Sequence, residues 1–218
     1  MPDRQYRSKW YANYARVQKP DWSEPNAKGD AITIQAALSR LQGWLPPDLK
    51  GKCLDLGSGN GLLLETLRAA GYSDLQGVDL CGEAIDIARK KGFQVAEADL
   101  CGFLRESDER FDLITAFDVV EHFGKDEIID VFTLIRDHLS PGGRLILQTP
   151  NAMSPWASSY RYGDLTHEWI FDPHCIVSVL DLVGFKDVRI REITPYVHGL
   201  ISALRWVLWR LIRVGCAL

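Results

Sequence analysis

From residue 52 to 149, short apolar or β-branched runs alternate with stretches of helical periodicity. The strand-like runs are 52–56, 75–79, 93–98, 111–117 and 144–149; helical patterns fill 61–70, 82–91 and 125–138. Strands separated by helices return parallel through crossovers and build an open sheet with helices on both faces. The pattern predicts an α/β fold with a doubly wound, mostly parallel sheet over residues 50–195. In such sheets ligands bind beyond the carboxyl ends of the strands, where strand order reverses. Candidate residues are therefore those that follow a strand.

Residues 1–49 precede this core and contain two helical patterns, 5–16 and 30–43, the second closed by Pro46-Pro47. A long loop (150–171), a helix (172–183) and a strand (187–193) follow, and 196–218 is an apolar segment rich in Trp and Arg.

Composition narrows the classes. The chain has 218 residues, 46% hydrophobic, enough for one sizeable core. Its net charge is −4 and its pI about 5.7, with no basic stripe along the body, so nucleic acid is not an expected partner. Cys53, Cys81, Cys101, Cys175 and Cys216 are dispersed singly, which suits reduced thiols and a cytoplasmic location. The first residues, M-P-D-R-Q-Y-R-S-K-W, hold no apolar stretch of signal-peptide length.

Residues 52–61 read K-C-L-D-L-G-S-G-N-G: a buried strand carrying Asp55, then Gly57, Gly59 and Gly61. Glycines allow a sharp turn and a close approach of backbone N–H groups to a ligand. A dinucleotide fingerprint would need a glycine at position 62, where the chain has Leu62. Asp79 ends the next strand, where a carboxylate can accept from both hydroxyls of a ribose. The segment resembles motif I of the class I S-adenosylmethionine-dependent methyltransferases. The likeness extends through Asp79, Asp99, the 111–121 run F-D-L-I-T-A-F-D-V-V-E and the L-S-P-G-G-R turn, over roughly residues 50–190. It implies that the glycine turn holds the methionine end of S-adenosylmethionine, that Asp79 binds the ribose and that Asp99 lies near the adenine. Ser58, Leu80, Leu100 and Phe117 complete the implied cofactor shell. Taken singly, Asp79 and Asp99 also read as helix caps.

Methyl transfer from a sulfonium needs an oriented nucleophile and, for a hydroxyl, a base. Two clusters offer one. Asp118, Glu121 and His122 follow the fourth strand in an E-H pair that is similar to that of ubiquinone-type O-methyltransferases; they read as a base, as part of a divalent-metal site, or as a helix cap. Tyr160, Arg161, Tyr162, Asp164, His167 and Glu168 crowd the loop after the fifth strand, and D-x-T-H-E resembles methyltransferases acting on glycans and small molecules. His167 is the first choice for general base and His122 the second. Tyr160, Arg161, Tyr162, Asp164 and Glu168 are the expected acceptor-binding set, and no metal is assigned. The alternative for His167 and Glu168 is that they pin the loop. Trp10, Tyr11, Tyr14 and Trp22 either close over the cofactor or pack on the core.

The leading expectation is O-methylation of a small molecule, a sugar or a lipid-linked glycan. The alternatives are N-methylation of a small amine, or a non-catalytic cofactor-binding or membrane-docking module. The family normally adds a seventh, antiparallel strand between strands five and six. Here that strand is lacking or modified, or the chain is cut before it. Residues 200–214 are apolar nearly all round, with Arg205, Arg210 and Arg213 on one broad face. The preferred reading is a helix docked on its own domain or on a second copy in a homodimer. The other is an interfacial helix on an anionic membrane.

Overall fold

A computed structural model of the chain describes residues 5–11, 13–18 and 27–216. Five strands, β1 (Cys53–Leu56), β2 (Leu75–Asp79), β3 (Gln94–Glu97), β4 (Phe111–Phe117) and β5 (Leu139–Gln148), form one parallel sheet of order β3-β2-β1-β4-β5. The chain enters at the centre, winds outward through β2 and β3, then crosses back to β4. Strand order thus reverses between β1 and β4, whose final pair is Leu56 with Ala116. A sheet with such a reversal is expected to bind its ligand there.

Alternation along the central strands supplies both layers. Leu54, Leu56, Ile114 and Ala116 are buried on one face beneath α6 (Leu100–Glu106), α7 (Lys125–Asp137) and α9 (Pro173–Leu182). Cys53, Leu113 and Ile146 are buried on the other with Leu41 of α3 (Ala27–Leu41) and Leu67 of α4 (Leu62–Ala69). Beyond them, α5 (Gly82–Lys90) packs Ile85 and Ala88 against Leu64 and Val95. Each face carries its own helices, as a doubly wound sheet requires.

Besides the short α6, the sequence pattern did not anticipate four features. The fifth strand begins at Leu139, because a register shift between Phe111 and Leu113 absorbs the Pro141-Gly142-Gly143 turn into the strand. The 150–171 segment contains a short helix, α8 (Ala157–Gly163). The first helical pattern splits into α1 (Gln5–Tyr11) and α2 (Tyr14–Gln18). The expected strand 187–193 is not formed: the segment makes no ladder pairing, and Asp187 bends the chain at φ 54°. A strand there would sit beyond a seventh strand, and no element among the described residues takes that place beside β5. Val188, Ile190 and Ile193 then have no neighbour to pair with.

The last described helix is α10 (Leu200–Cys216). Ser202 caps it, its hydroxyl accepting the N–H groups of His198 (2.8 Å) and Gly199 (2.9 Å). The apolar side of α10 is not covered by its own domain: Leu204 is 60% exposed and Leu211 65%. No helix among the described residues is long and apolar enough to cross a membrane.

Candidate active site

The turn after β1 is built by glycine. Gly57, Gly59 and Gly61 have φ of 70°, 51° and 81°, the left-handed region that a Cβ disfavours. The N–H groups of Gly57 and Ser58 both donate to the Val78 carbonyl, at 2.8 and 3.1 Å, folding the turn back over β2. A Cβ on Gly57 would lie 2.5 Å from Val119 Cγ2, so the turn packs directly on the segment after β4.

Asp79 closes the turn from the other side. One carboxylate oxygen accepts the Gly59 N–H at 2.7 Å and the other the Cys81 N–H at 2.8 Å. Burial pushes its pKa up, while the N–H donors of Cys81, Gly59 and Leu80 pull it back. Each oxygen keeps a second lone pair for a diol. Beside it Leu80 is 44% exposed, an apolar platform at the strand's carboxyl end. This glycine cradle and two-oxygen acceptor fit a nucleoside-bearing cofactor.

The other expected cofactor residues sit around this centre. Asp99 caps α6 by accepting the Gly102 N–H at 2.9 Å, Leu100 begins that helix, and Phe117 ends β4 half-buried. Asp55 is only 2% exposed and accepts from Thr115 Oγ1 at 2.7 Å; burial pushes its carboxyl up to about 7. The Ser58 hydroxyl is buried against Gly77, where a Cβ would stand 2.6 Å from it.

The two histidines that the sequence places in separate clusters come together. Their rings lie 4.8 Å apart, centroid to centroid. Thr166 Oγ1 donates to Asp164 Oδ1 at 2.6 Å and meets His122 Nδ1 at 2.9 Å. With its one proton committed to the carboxylate, the hydroxyl can only accept, so His122 carries its proton on Nδ1. His167 Nδ1 faces the Tyr160 carbonyl, another pure acceptor, and is likewise the protonated nitrogen. Both rings therefore keep their Nε2 lone pairs. Burial lowers the pKa of His122 to about 4, and His167 adds to the shift.

Glu121 lies beneath the pair, fully buried. One of its oxygens accepts from Thr149 Oγ1 at 3.1 Å; Oε1 has no hydrogen-bond partner among the described residues. Burial and then the charge of Asp118 raise its pKa to about 8. Ligand atoms of Glu121, His122 and His167 all lie within 4.8 Å of one another, a donor set suited to a divalent cation. Asp118 is not part of that set. It faces solvent at φ 54°, holding Gln148 Nε2 at 3.1 Å.

Residues of α1 and α2 lie over these groups. Tyr6 donates to Glu168 Oε1, and Arg7 pairs with Glu168 at 3.4 Å and Glu127 at 3.5 Å. Tyr11 reaches Thr166 and meets His122 edge-on, ring centroids 6.3 Å apart. Tyr14 hydrogen-bonds Asp164 and packs on Cys81 and Ala84. Burial pushes the Tyr11 hydroxyl up to about 12 and Tyr14 higher still. Glu168 is thus engaged by the first helix. Arg161 braces the loop through the His167 carbonyl and stands 5.4 Å over the Tyr162 ring; Tyr160 and Tyr162 are exposed. Trp22 lies outside the described residues. Sequence reading missed Thr166, Tyr6 and Arg7: no local pattern marks a hydroxyl that joins residues 44 positions apart.

A parallel sheet of this order, with a glycine turn after β1 and an acid ending β2, defines a Rossmann-like cofactor-binding fold. The profile of the methyltransferase domain matches residues 31–190. The chain belongs to that methyltransferase-domain family, and its fold is that of the class I S-adenosylmethionine-dependent members. It is similar to the human mitochondrial ubiquinone biosynthesis O-methyltransferase, 30% identical over 166 residues that cover 64% of this chain and 42% of that protein. The ubiquinone biosynthesis O-methyltransferase of Sinorhizobium fredii is 35% identical over 113 residues, covering 49% of this chain and 44% of its own. The chain thus spans less than half the length of these curated relatives. Among solved structures, a SAM-dependent methyltransferase from Archaeoglobus fulgidus superposes with a TM-score of 0.64 at 22% identity, covering 84% of this chain and 86% of that one. Magnesium protoporphyrin IX methyltransferase from Synechocystis, with bound SAH, gives a TM-score of 0.64 at 16% identity over 86% and 91%. At those identities the likeness is one of fold.

Proposed function

We propose that this methyltransferase acts on a hydroxyl oxygen of a small molecule, with His167 as general base. The observation that carries the reading is the imidazole pair, ring centroids 4.8 Å apart, with Nδ1 of each ring facing an oxygen. Bound S-adenosylmethionine supplies an electrophilic methyl on a sulfonium. Gly57, Gly59, Asp79 and Leu80 would hold it, with Asp99 toward the base. His167 takes the acceptor's proton. His122 stays neutral at physiological pH, so it offers a lone pair to the acceptor hydroxyl without setting a second positive charge beside the sulfonium. Tyr160, Arg161 and Tyr162 form the rim that meets the acceptor. Asp164 and Glu168, the expected acceptor contacts, also orient Thr166 and hold α1. Carboxylates already engaged in this way are less open to an amine, which favours a hydroxyl acceptor over the N-methylation alternative. The O-methyltransferase names of the curated relatives point the same way. Helices α1 and α2 act as the lid over the site.

A second reading rests on the buried Glu121 Oε1 with no hydrogen-bond partner. A divalent cation held by Glu121, His122 and His167 would take the acceptor hydroxyl as a further ligand and acidify it. The test is methyl transfer to a panel of phenolic and sugar hydroxyls, with and without a chelator. Turnover that survives chelation and falls in His167→Ala supports the base. Loss on chelation, restored by Mg²⁺ or Zn²⁺, supports the cation. Methylation of amines alone would overturn both.

A further inference from the structure

At 100° per residue, α10 has two sharply different sides. Buried Ser202 and half-buried Trp209 lie on one side, where Arg213 also bonds Glu192 of the preceding segment at 3.2 Å. Diametrically opposite lies a broad apolar face made of Leu200, Leu204, Val207, Leu208, Leu211 and Val214, all exposed. Leu200 is 92% exposed and Leu208 49%. Arg205 stands at one margin of that face and Arg210 at the other. Arg210 and Arg213 are stacked on Trp206 and Trp209, at 5.3 and 5.6 Å from the ring centroids. The helix has no acidic residue, and its three arginines sit in a chain whose net charge is −4.

We infer that α10 docks this protein in the plane of an anionic lipid surface. An apolar face flanked on both margins by arginine is the arrangement of a helix whose apolar side enters the acyl boundary while guanidinium groups reach the headgroups. Tryptophans beside it suit the interfacial depth. At ~1.5 Å per residue, 17 residues reach only about 25 Å, less than the ~30 Å hydrocarbon core, so the helix lies along the surface and does not cross it. Charge argues against a second copy as the occupant. Two α10 helices packed about a two-fold axis would oppose arginine to arginine with no carboxylate on either helix to offset them. This inference is independent of the acceptor assigned above.

The test is flotation of the full-length protein with phosphatidylcholine vesicles, with or without 30% phosphatidylglycerol, over a salt series. Binding to the anionic vesicles is expected to exceed that to neutral ones by roughly fivefold for each arginine, and to weaken as salt rises. Leu204→Ser/Leu211→Ser should abolish flotation, and Arg205→Glu/Arg210→Glu should remove the anionic preference. Both variants should bind S-adenosylhomocysteine as wild type does, since these side chains are exposed. No flotation with anionic vesicles overturns the inference. So does a wild-type dimer in solution that the leucine variant makes monomeric and that does not float.

Discussion

Asp79 shows how one side chain serves both fold and ligand. Its two oxygens hold the N–H groups of Gly59 and Cys81, so the carboxylate is positioned before any ribose arrives. Charge-assisted hydrogen bonds of this kind contribute ~1.5–3 kcal/mol each. Asp79→Ala should therefore weaken S-adenosylmethionine binding by at least ~100-fold, measured by isothermal titration. His167→Ala should lower kcat by ~10²- to 10⁴-fold with the cofactor Kd unchanged; normal turnover would sink the base assignment. Asp55 makes a different prediction. Its folded pKa of about 7 lies above the ~3.9 of an unfolded aspartate, so the folded protein holds an extra proton between those values. Stability should fall as pH rises from about 4 to about 7 and level off above. Asp55→Asn, which keeps an acceptor for Thr115, should flatten that slope in urea titrations at pH 5 and 8. The carboxyl at 79 was legible because strand-end acids carry a positional meaning. The Asp164–Thr166–His122 relay was not, because it joins two loops that only the folded sheet brings together.

At the level of elements, the turn after β1 and the 3₁₀ turn of Val120–His122 are one mechanical unit, with Gly57 against Val119. Gly57→Ala would place a Cβ into Val119 at a left-handed φ, costing roughly 2–4 kcal/mol. Adding Val119→Ala should recover the steric part and leave the backbone part, a double-mutant cycle read by denaturant midpoints. Four of the five strand runs matched to within a residue at either end, because alternation buried on both faces leaves little freedom of register. Residues 187–193 failed for the converse reason. Their pattern is strand-like, but a strand exists only where a neighbour supplies the ladder, and nothing local in the sequence reports on that. The short α6, at Leu100–Glu106, escaped notice because Gly102 interrupts its periodicity; the Asp99 cap identifies it in the fold.

Across the whole molecule, core and lid differ in what holds them. The sheet is buried under helices on both faces, whereas the described residues of α1 and α2 are joined to it by polar contacts to Glu168, Glu127, Thr166 and Asp164 and by the rings of Tyr11 and Tyr14. Backbone amides of residues 5–18 should exchange with solvent fastest among the helices of the catalytic domain and gain protection when S-adenosylhomocysteine binds, read by hydrogen-exchange mass spectrometry. Glu168→Gln, which removes the charge that Arg7 meets, should speed that exchange severalfold while leaving the core amides unchanged.

Those same contacts order the site in time. The bond from Gly59 to Asp79 closes a span of 20 positions, Thr166 to His122 one of 44, and Tyr6 to Glu168 one of 162. Longer closures are entropically dearer and come later. A chain emerging from the ribosome therefore completes its cofactor cradle first, its histidine pair next and its lid last.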